Sequence, residues 1–382
     1  MLTRVLIDTQ ALRHNISMLA ELTGPHVLIC PTVKSNAYGH GLVLASRAFV
    51  EAGADWLCVN AVYEAATLRA AGLDVPIYVM GYVGLDELEQ AIELDCRMVL
   101  YNGETLARAA AIAVRRGTVA RFHLKVETGN NRQGLDSGEA FALAQAVRDT
   151  EGAELEGVAT HFANVEDTTD HTFARQQIER FSSFCQMLSN AGVRVKLRHL
   201  ANSAATILWP ESHMDLVRTG IATYGMWPSS ETYVSAMLAD RHRIALEPAL
   251  TWTCRIAQVK TVGAGEYVGY GCTYRTTHPT RLAVLPVGYY DGYDRSLSNM
   301  AYVLIGGHRA YVRGRVCMNM TMVDVTDIPD PHLEEEVVLL GRGGADVITA
   351  EQMGGWAGTI NYEITTRIND RITRVAVDAQ DG

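Results

Sequence analysis

The chain predicts a (β/α)8 barrel of the TIM type followed by a mostly β C-terminal domain. Three observations predict it. Eight short apolar runs recur through roughly the first two-thirds of the 382 residues, alternating with longer amphipathic segments. Polar, chemically capable residues collect at the ends of those runs, where a barrel carries its sites. Beyond Arg241 the rhythm gives way to short alternating runs rich in Val, Thr, Tyr and Gly.

The elements follow in order. Residues 7–22 carry Leu12, Ile16, Leu19 and Leu22 at helical spacing and read as a lead-in helix that starts an amphipathic N-terminus. The eight strand-like runs are 27–34, 56–61, 75–81, 97–101, 120–127, 155–162, 195–202 and 216–225. Segments 42–52, 63–71, 85–94 and 103–116 lie between the early ones, with apolar residues three and four apart. The barrel is expected to span residues 1–240 and the β domain 241–382, with the boundary in the polar stretch 239–248. In the second domain, strands are expected at 250–259, 281–287, 301–305, 310–313, 320–325 and 337–340, and a helix at 350–358.

Composition narrows the function. A net charge of −10 without a dense Lys/Arg run argues against a nucleic-acid binder. No apolar stretch reaches membrane-spanning length, and the N-terminus lacks the pattern of a signal peptide. The seven cysteines are scattered and form no C-x-x-C, so they read as reduced core thiols of a cytoplasmic protein.

The most informative stretch is PTVKSNAYGHG at residues 31–41. A buried run delivers Lys34, then dissolves into small and flexible residues. A lysine there is poorly solvated and suited to act as an amine nucleophile or proton carrier. Tyr38 can turn its hydroxyl back toward a ligand, and Gly39 and Gly41 let backbone approach one closely. Other strand ends supply Lys125, then Arg132; Thr160 and His161; Asn202 and Ser203; Arg218, Gly220 and Ile221. His161, Asp167, Asp170 and His171 match no compact ligand set, and no metal is expected.

The pattern V-K-x-N-A-Y-G-H-G at residues 33–41 resembles the pyridoxal-phosphate lysine motif of alanine racemases. The segment G-Y-G-x-T-Y around Tyr270 resembles their catalytic tyrosine segment. The resemblance runs in order across both domains. It implies a pyridoxal 5'-phosphate enzyme that interconverts L- and D-alanine by a two-base mechanism, supplying D-alanine for peptidoglycan. Lys34 and Tyr270 are then the two bases, one on each face of the cofactor. A phenol is a weak base near neutral pH and needs a positive or hydrogen-bonding setting. In the family the tyrosine comes from the partner subunit, which implies a homodimer with composite sites.

The resemblance also implies further roles. Arg218 faces the pyridine nitrogen and His161 lies by the ring. Tyr38, Ser203, Gly220, Ile221 and Tyr362 cradle the phosphate, with Asn202 beside them. Arg132 meets the amino-acid substrate, the backbone at Met318 reaches it from the partner subunit, and Lys125 is a candidate for carbamylation. Asn319 stands where the family usually has aspartate, and Asn130 and Asn131 replace more apolar residues. These departures keep a serine or broad-specificity racemase open as an alternative. A non-catalytic pyridoxal-phosphate carrier and a decarboxylase on a related barrel are the rivals from other classes.

Overall fold

The computed structural model describes residues 1–239, 241 and 244–378. The chain divides into two compact units. One holds Ala11–Ala37 and Leu42–Pro248; the other holds Met1–Gln10, Tyr38–Gly41 and Ala249–Gly382. The expected boundary at 240/241 involves Asp240, which lies outside the described residues.

The first strand, β1 (Thr3–Asp8), corrects the reading of the N-terminus as the start of a helix. Val5 and Ile7 are fully buried on one face of it, an alternation of period two. The helix follows at Thr9–Thr23. β1 pairs antiparallel with Leu250–Arg255 and parallel with Arg374–Val377, so it sits inside a sheet of the other unit. A barrel assigned from residue 1 therefore includes a strand that pairs elsewhere.

The remaining early strands form the barrel. They are β2 (Leu28–Ile29), β3 (Leu57–Val59), β4 (Ile77–Val79), β5 (Cys96–Leu100), β6 (Ala120–Lys125), β7 (Ala153–Ala159), β8 (Leu197–His199) and β9 (Leu216–Val217). β3 to β8 make one parallel sheet in sequence order, and β2 pairs with β9. Backbone bonds close the circuit: Cys58 N–H to Pro31 O at 2.9 Å, Val33 N–H to Cys58 O at 2.8 Å, and Arg218 N–H to Ala201 O at 3.0 Å. Strands such as β3 and β4, buried at every position, read as unbroken apolar runs in the sequence. Cys30, Cys58, Tyr78, Val99 and Leu216 share one buried cluster. Cys272, by contrast, is exposed and is no core thiol.

The other unit is mostly β. Its largest sheet runs, in order, His308–Tyr311, Tyr302–Ile305, Glu336–Gly343, Leu250–Arg255, β1 and Arg374–Val377, with Asp346–Ile348 pairing off Glu336–Gly343. A second sheet joins Gln258–Val262, Thr280–Leu285 and Thr321–Asp324. The single run expected at 250–259 is thus two strands in different sheets. The chain switches partner between them: Ile256 N–H bonds Glu335 O, and Ala257 N–H bonds Val284 O.

Candidate active site

Lys34 follows β2 and opens an unusual turn. Ser35, Asn36, Ala37 and Tyr38 all have left-handed backbones, with φ of 56°, 54°, 52° and 53°. Each costs an L-residue about 1–2 kcal/mol. Specific bonds hold the turn against that cost. The buried carboxylate of Glu64 accepts Ser35 N–H at 2.6 Å, and also Asn60 and Ala61 N–H at 2.8 and 3.1 Å. Leu42 N–H donates to Asn36 Oδ1 at 2.8 Å. The amide directly after Lys34 is therefore pinned, which fixes how the lysine leaves the strand. Glu64 was not singled out in the sequence. A Glu three residues past Ala61 was the available signal, since it closes the start of the helix Val62–Ala70.

Around the same barrel mouth basic side chains gather. Lys125, Arg132, Thr160 and His161 line one niche, with the Glu127 carboxylate in the same niche. Burial first, then the Arg218 and Arg132 guanidinium groups, hold the Lys125 amine well below the ordinary lysine range. Burial, then Lys125, Arg218, Arg132 and Lys34, push the His161 imidazole well below its usual value. Arg218, 4% exposed, donates from Nη2 to Thr160 O at 2.9 Å and to His161 Nδ1 at 3.4 Å. Its Nη1 donates to His199 Nδ1. His199, His123 behind it and Glu156 were not anticipated. Each sits inside a run read only for its apolar content.

The residues expected at the phosphate divide into two groups. In the barrel, Ser203 Oγ accepts Gly220 N–H at 2.8 Å and Ala222 N–H at 3.3 Å. The Gly220 amide is thus engaged, whereas Ile221 N–H opens the short 3-10 turn Ile221–Tyr224 with no protein acceptor among the described residues. With two amides on its oxygen, Ser203 keeps its own hydroxyl proton to donate. Asn202 is committed to the fold: Oδ1 caps Ser203–Leu208 through Ala205 N–H, and Nδ2 donates to Glu166 at 2.9 Å.

In the other unit, Tyr38 and Tyr362 lie with ring centroids 6.0 Å apart. Gly39 has φ +88°, and a Cβ there would fall 2.0 Å from Thr365 O. Arg374 Nε donates to Gly39 O at 2.9 Å.

Tyr270 begins the 3-10 turn Tyr270–Cys272 and is 74% exposed. Gly269 and Gly271 flank it at φ +72° and +73°, and a Cβ on Gly271 would press on the Arg315 guanidinium at 3.1 Å. Met318 is also exposed, and its carbonyl accepts Tyr290 N–H at 2.9 Å. Asn319 is exposed beside it.

The barrel residues suit an anionic ring-bearing cofactor. A nucleophilic lysine, a buried arginine, an open N–H and a free hydroxyl proton offer covalent attachment, a ring contact and phosphate donors. No carboxylate pairs with Arg218, Arg132 or Lys125 among the described residues, so the cluster can accept added negative charge.

Comparison with known proteins gives the family. Residues 7–228 match the family model "Alanine racemase, N-terminal domain", and residues 249–376 match "Alanine racemase, C-terminal domain". The chain is 41% identical over 372 residues to an alanine racemase of Desulforamulus reducens, covering 97% of this chain and 98% of that one. It is 42% identical over 368 residues to one of Symbiobacterium thermophilum, covering 96% and 95%. Its structure is similar to an alanine racemase of Clostridium difficile, with TM-score 0.94, 32% identity and coverage of 100% and 97%. It is also similar to that of Streptomyces lavendulae, with TM-score 0.91, 37% identity and coverage of 99% and 97%.

Proposed function

The chain belongs to the alanine racemase family and interconverts L- and D-alanine; we propose that it does so with pyridoxal 5'-phosphate attached at Lys34. The observation that carries this reading is the barrel mouth itself, where Lys125, Arg132 and His161 line one niche and Arg218 Nη2 donates to His161 Nδ1 at 3.4 Å.

When bound, the cofactor supplies an electron sink that makes the Cα–H of an amino acid removable. The chain's residues do the rest. Lys34 Nζ holds the cofactor and then moves a proton at one face of Cα. Tyr270 Oη of the partner subunit moves it at the other. Arg218 would offer the ring nitrogen a guanidinium N–H donor. His161, held neutral, stays beside that arginine. Ser203 Oγ–H, the Ile221 N–H, Tyr38 and Tyr362 receive the phosphate, while Gly220 and Asn202 shape the cradle through Ser203 and the helix cap.

Arg132 receives the substrate together with the backbone of Met318 of the partner subunit. A neutral Lys125 amine is the form that attacks carbon dioxide: its nitrogen bonds the carbon and releases one N–H proton. The resulting carbamate carries the negative charge that Arg132 otherwise lacks. The exposure of Tyr270, Tyr289, Tyr290 and Met318 on one unit supports a homodimer that covers them. We place the enzyme in the cytoplasm, making D-alanine for peptidoglycan; no described helix is long and apolar enough to cross a membrane.

The experiment is an absorbance spectrum of the purified protein before and after borohydride, with peptide mapping and a racemisation assay. A band lost on reduction, with the adduct on Lys34, supports the reading. Racemisation by protein carrying no such adduct sinks it.

A further inference from the structure

Arg218 is a buried cation with no carboxylate partner among the described residues. Buried charge ordinarily needs a counter-charge. A line of hydrogen bonds leads to one. Arg218 Nη1 donates to His199 Nδ1, and a guanidinium cannot accept, so that nitrogen carries no proton. His199 Nε2 lies 2.7 Å from His123 Nδ1. Were His199 Nε2 also bare, the ring would be an anion, so it carries the proton and donates. His123 then has a bare Nδ1 and a proton on Nε2, which faces Glu156 Oε2 at 3.5 Å. The same oxygen forms an ion pair with Arg97 Nε at 3.1 Å, and Arg97 is shared with Asp95 at 2.9 Å, so Glu156 is not neutralised by Arg97 alone. Every step has one donor and one acceptor, so the direction is fixed.

Electrostatics agrees. Burial pushes both imidazoles down, and Arg218 adds to it at each. Although burial alone would raise it, His123 and Arg97 bring Glu156 below the usual carboxylate value. Packing locks the rings: Tyr78 stacks on His123 with centroids 4.7 Å apart and meets His199 edge-on at 5.4 Å.

We propose that His199, His123 and Glu156 are positioning residues. They form a one-way relay that supplies Arg218 with its counter-charge from a distance and holds the guanidinium as a donor toward the cofactor ring. That role rests on the site reading given above. A carboxylate set directly against Arg218 would claim its N–H groups and bring an acid to the ring nitrogen. Two interposed imidazoles keep the anion inside the barrel.

The test uses the full-length protein labelled with 15N-histidine, with pyridoxal 5'-phosphate and after its removal. The expected spectrum shows His123 and His199 protonated at Nε2 and bare at Nδ1 in both states, assigned by signal loss in His123→Phe and His199→Phe. A proton on either Nδ1 at neutral pH overturns the relay. Glu156→Gln keeps an acceptor oxygen and removes the charge. It is expected to load cofactor, lower kcat about tenfold at little-changed KM, and displace the absorbance band of the bound cofactor. Unchanged kcat and band overturn the functional role. Should that variant not fold, His123→Gln, which can still accept and donate, is expected to retain more kcat than His123→Phe; equal loss overturns the proposal. Because the tautomers need no cofactor, failure to bind pyridoxal phosphate would sink the site reading and leave the NMR result intact.

Discussion

Ser203 Oγ accepts the Gly220 amide at 2.8 Å, tying the start of one short helix to the start of another. Ser203→Ala leaves the Gly220 and Ala222 N–H groups without that acceptor in a buried site. The expected loss is about 1–3 kcal/mol of stability, read by urea unfolding without cofactor. Pyridoxal phosphate affinity should fall as well, read by titration. Wild-type values in both measurements would remove Ser203 from the cradle.

A composite site predicts complementation. Lys34→Ala and Tyr270→Phe should each be nearly inactive alone. Unfolded together and refolded as mixed dimers, they should regain activity, because one of the two sites then combines an intact lysine with an intact tyrosine. Mixtures no more active than the separate variants would place both bases on one chain.

Acid should destabilise the fold early. His123, His161 and His199 all have folded values below the unfolded one of about 6.5. As pH falls past that point the unfolded chain binds protons that the folded one refuses, so stability drops. The slope of unfolding free energy between about pH 6.5 and 5 should exceed one proton per molecule and shrink in His123→Phe. A flat profile there would contradict neutral buried rings.

Lys125 is likewise held toward its neutral form in the fold. Its folded value lies below the unfolded one of about 10.4, so in that window the unfolded state holds the extra proton and stability rises with pH. The same neutral amine should take up labelled bicarbonate and show a carbamate carbon resonance that disappears in Lys125→Ala. A bare amine under saturating bicarbonate would refute the modification.

Gly39→Ala should be among the most damaging small substitutions. The backbone angle is left-handed and the new methyl would overlap Thr365 O. A cost above about 2 kcal/mol is expected in urea unfolding. A near-neutral result would mean that residues 38–41 can move away from the helix Asn361–Thr366.

Much of this was legible in the sequence, and the exceptions share a cause. Barrel strands such as Ala120–Lys125 announce themselves because both faces are buried. β1 and Arg374–Val377 did not, because their pairing joins the two ends of the chain and no local window contains it. At the site, strand-end residues stood out by position, Lys34 and Arg218 most clearly. His123, His199 and Glu156 lie within strands, and their partners are 76 and 33 residues apart. Only the folded barrel brings them into line.

The chain passes between its two compact units more than once, and this limits how the protein can be divided. Cutting at residue 248 would not yield two self-sufficient modules. A lone barrel half would strand Tyr38–Gly41 without Tyr362, Thr365 and Arg374. A lone β half would lose β1 from between Leu250–Arg255 and Arg374–Val377, exposing two raw sheet edges where none existed. Swapping halves between relatives therefore exchanges whole interlocked chains, and a graft that carries the lysine must carry the far terminus with it.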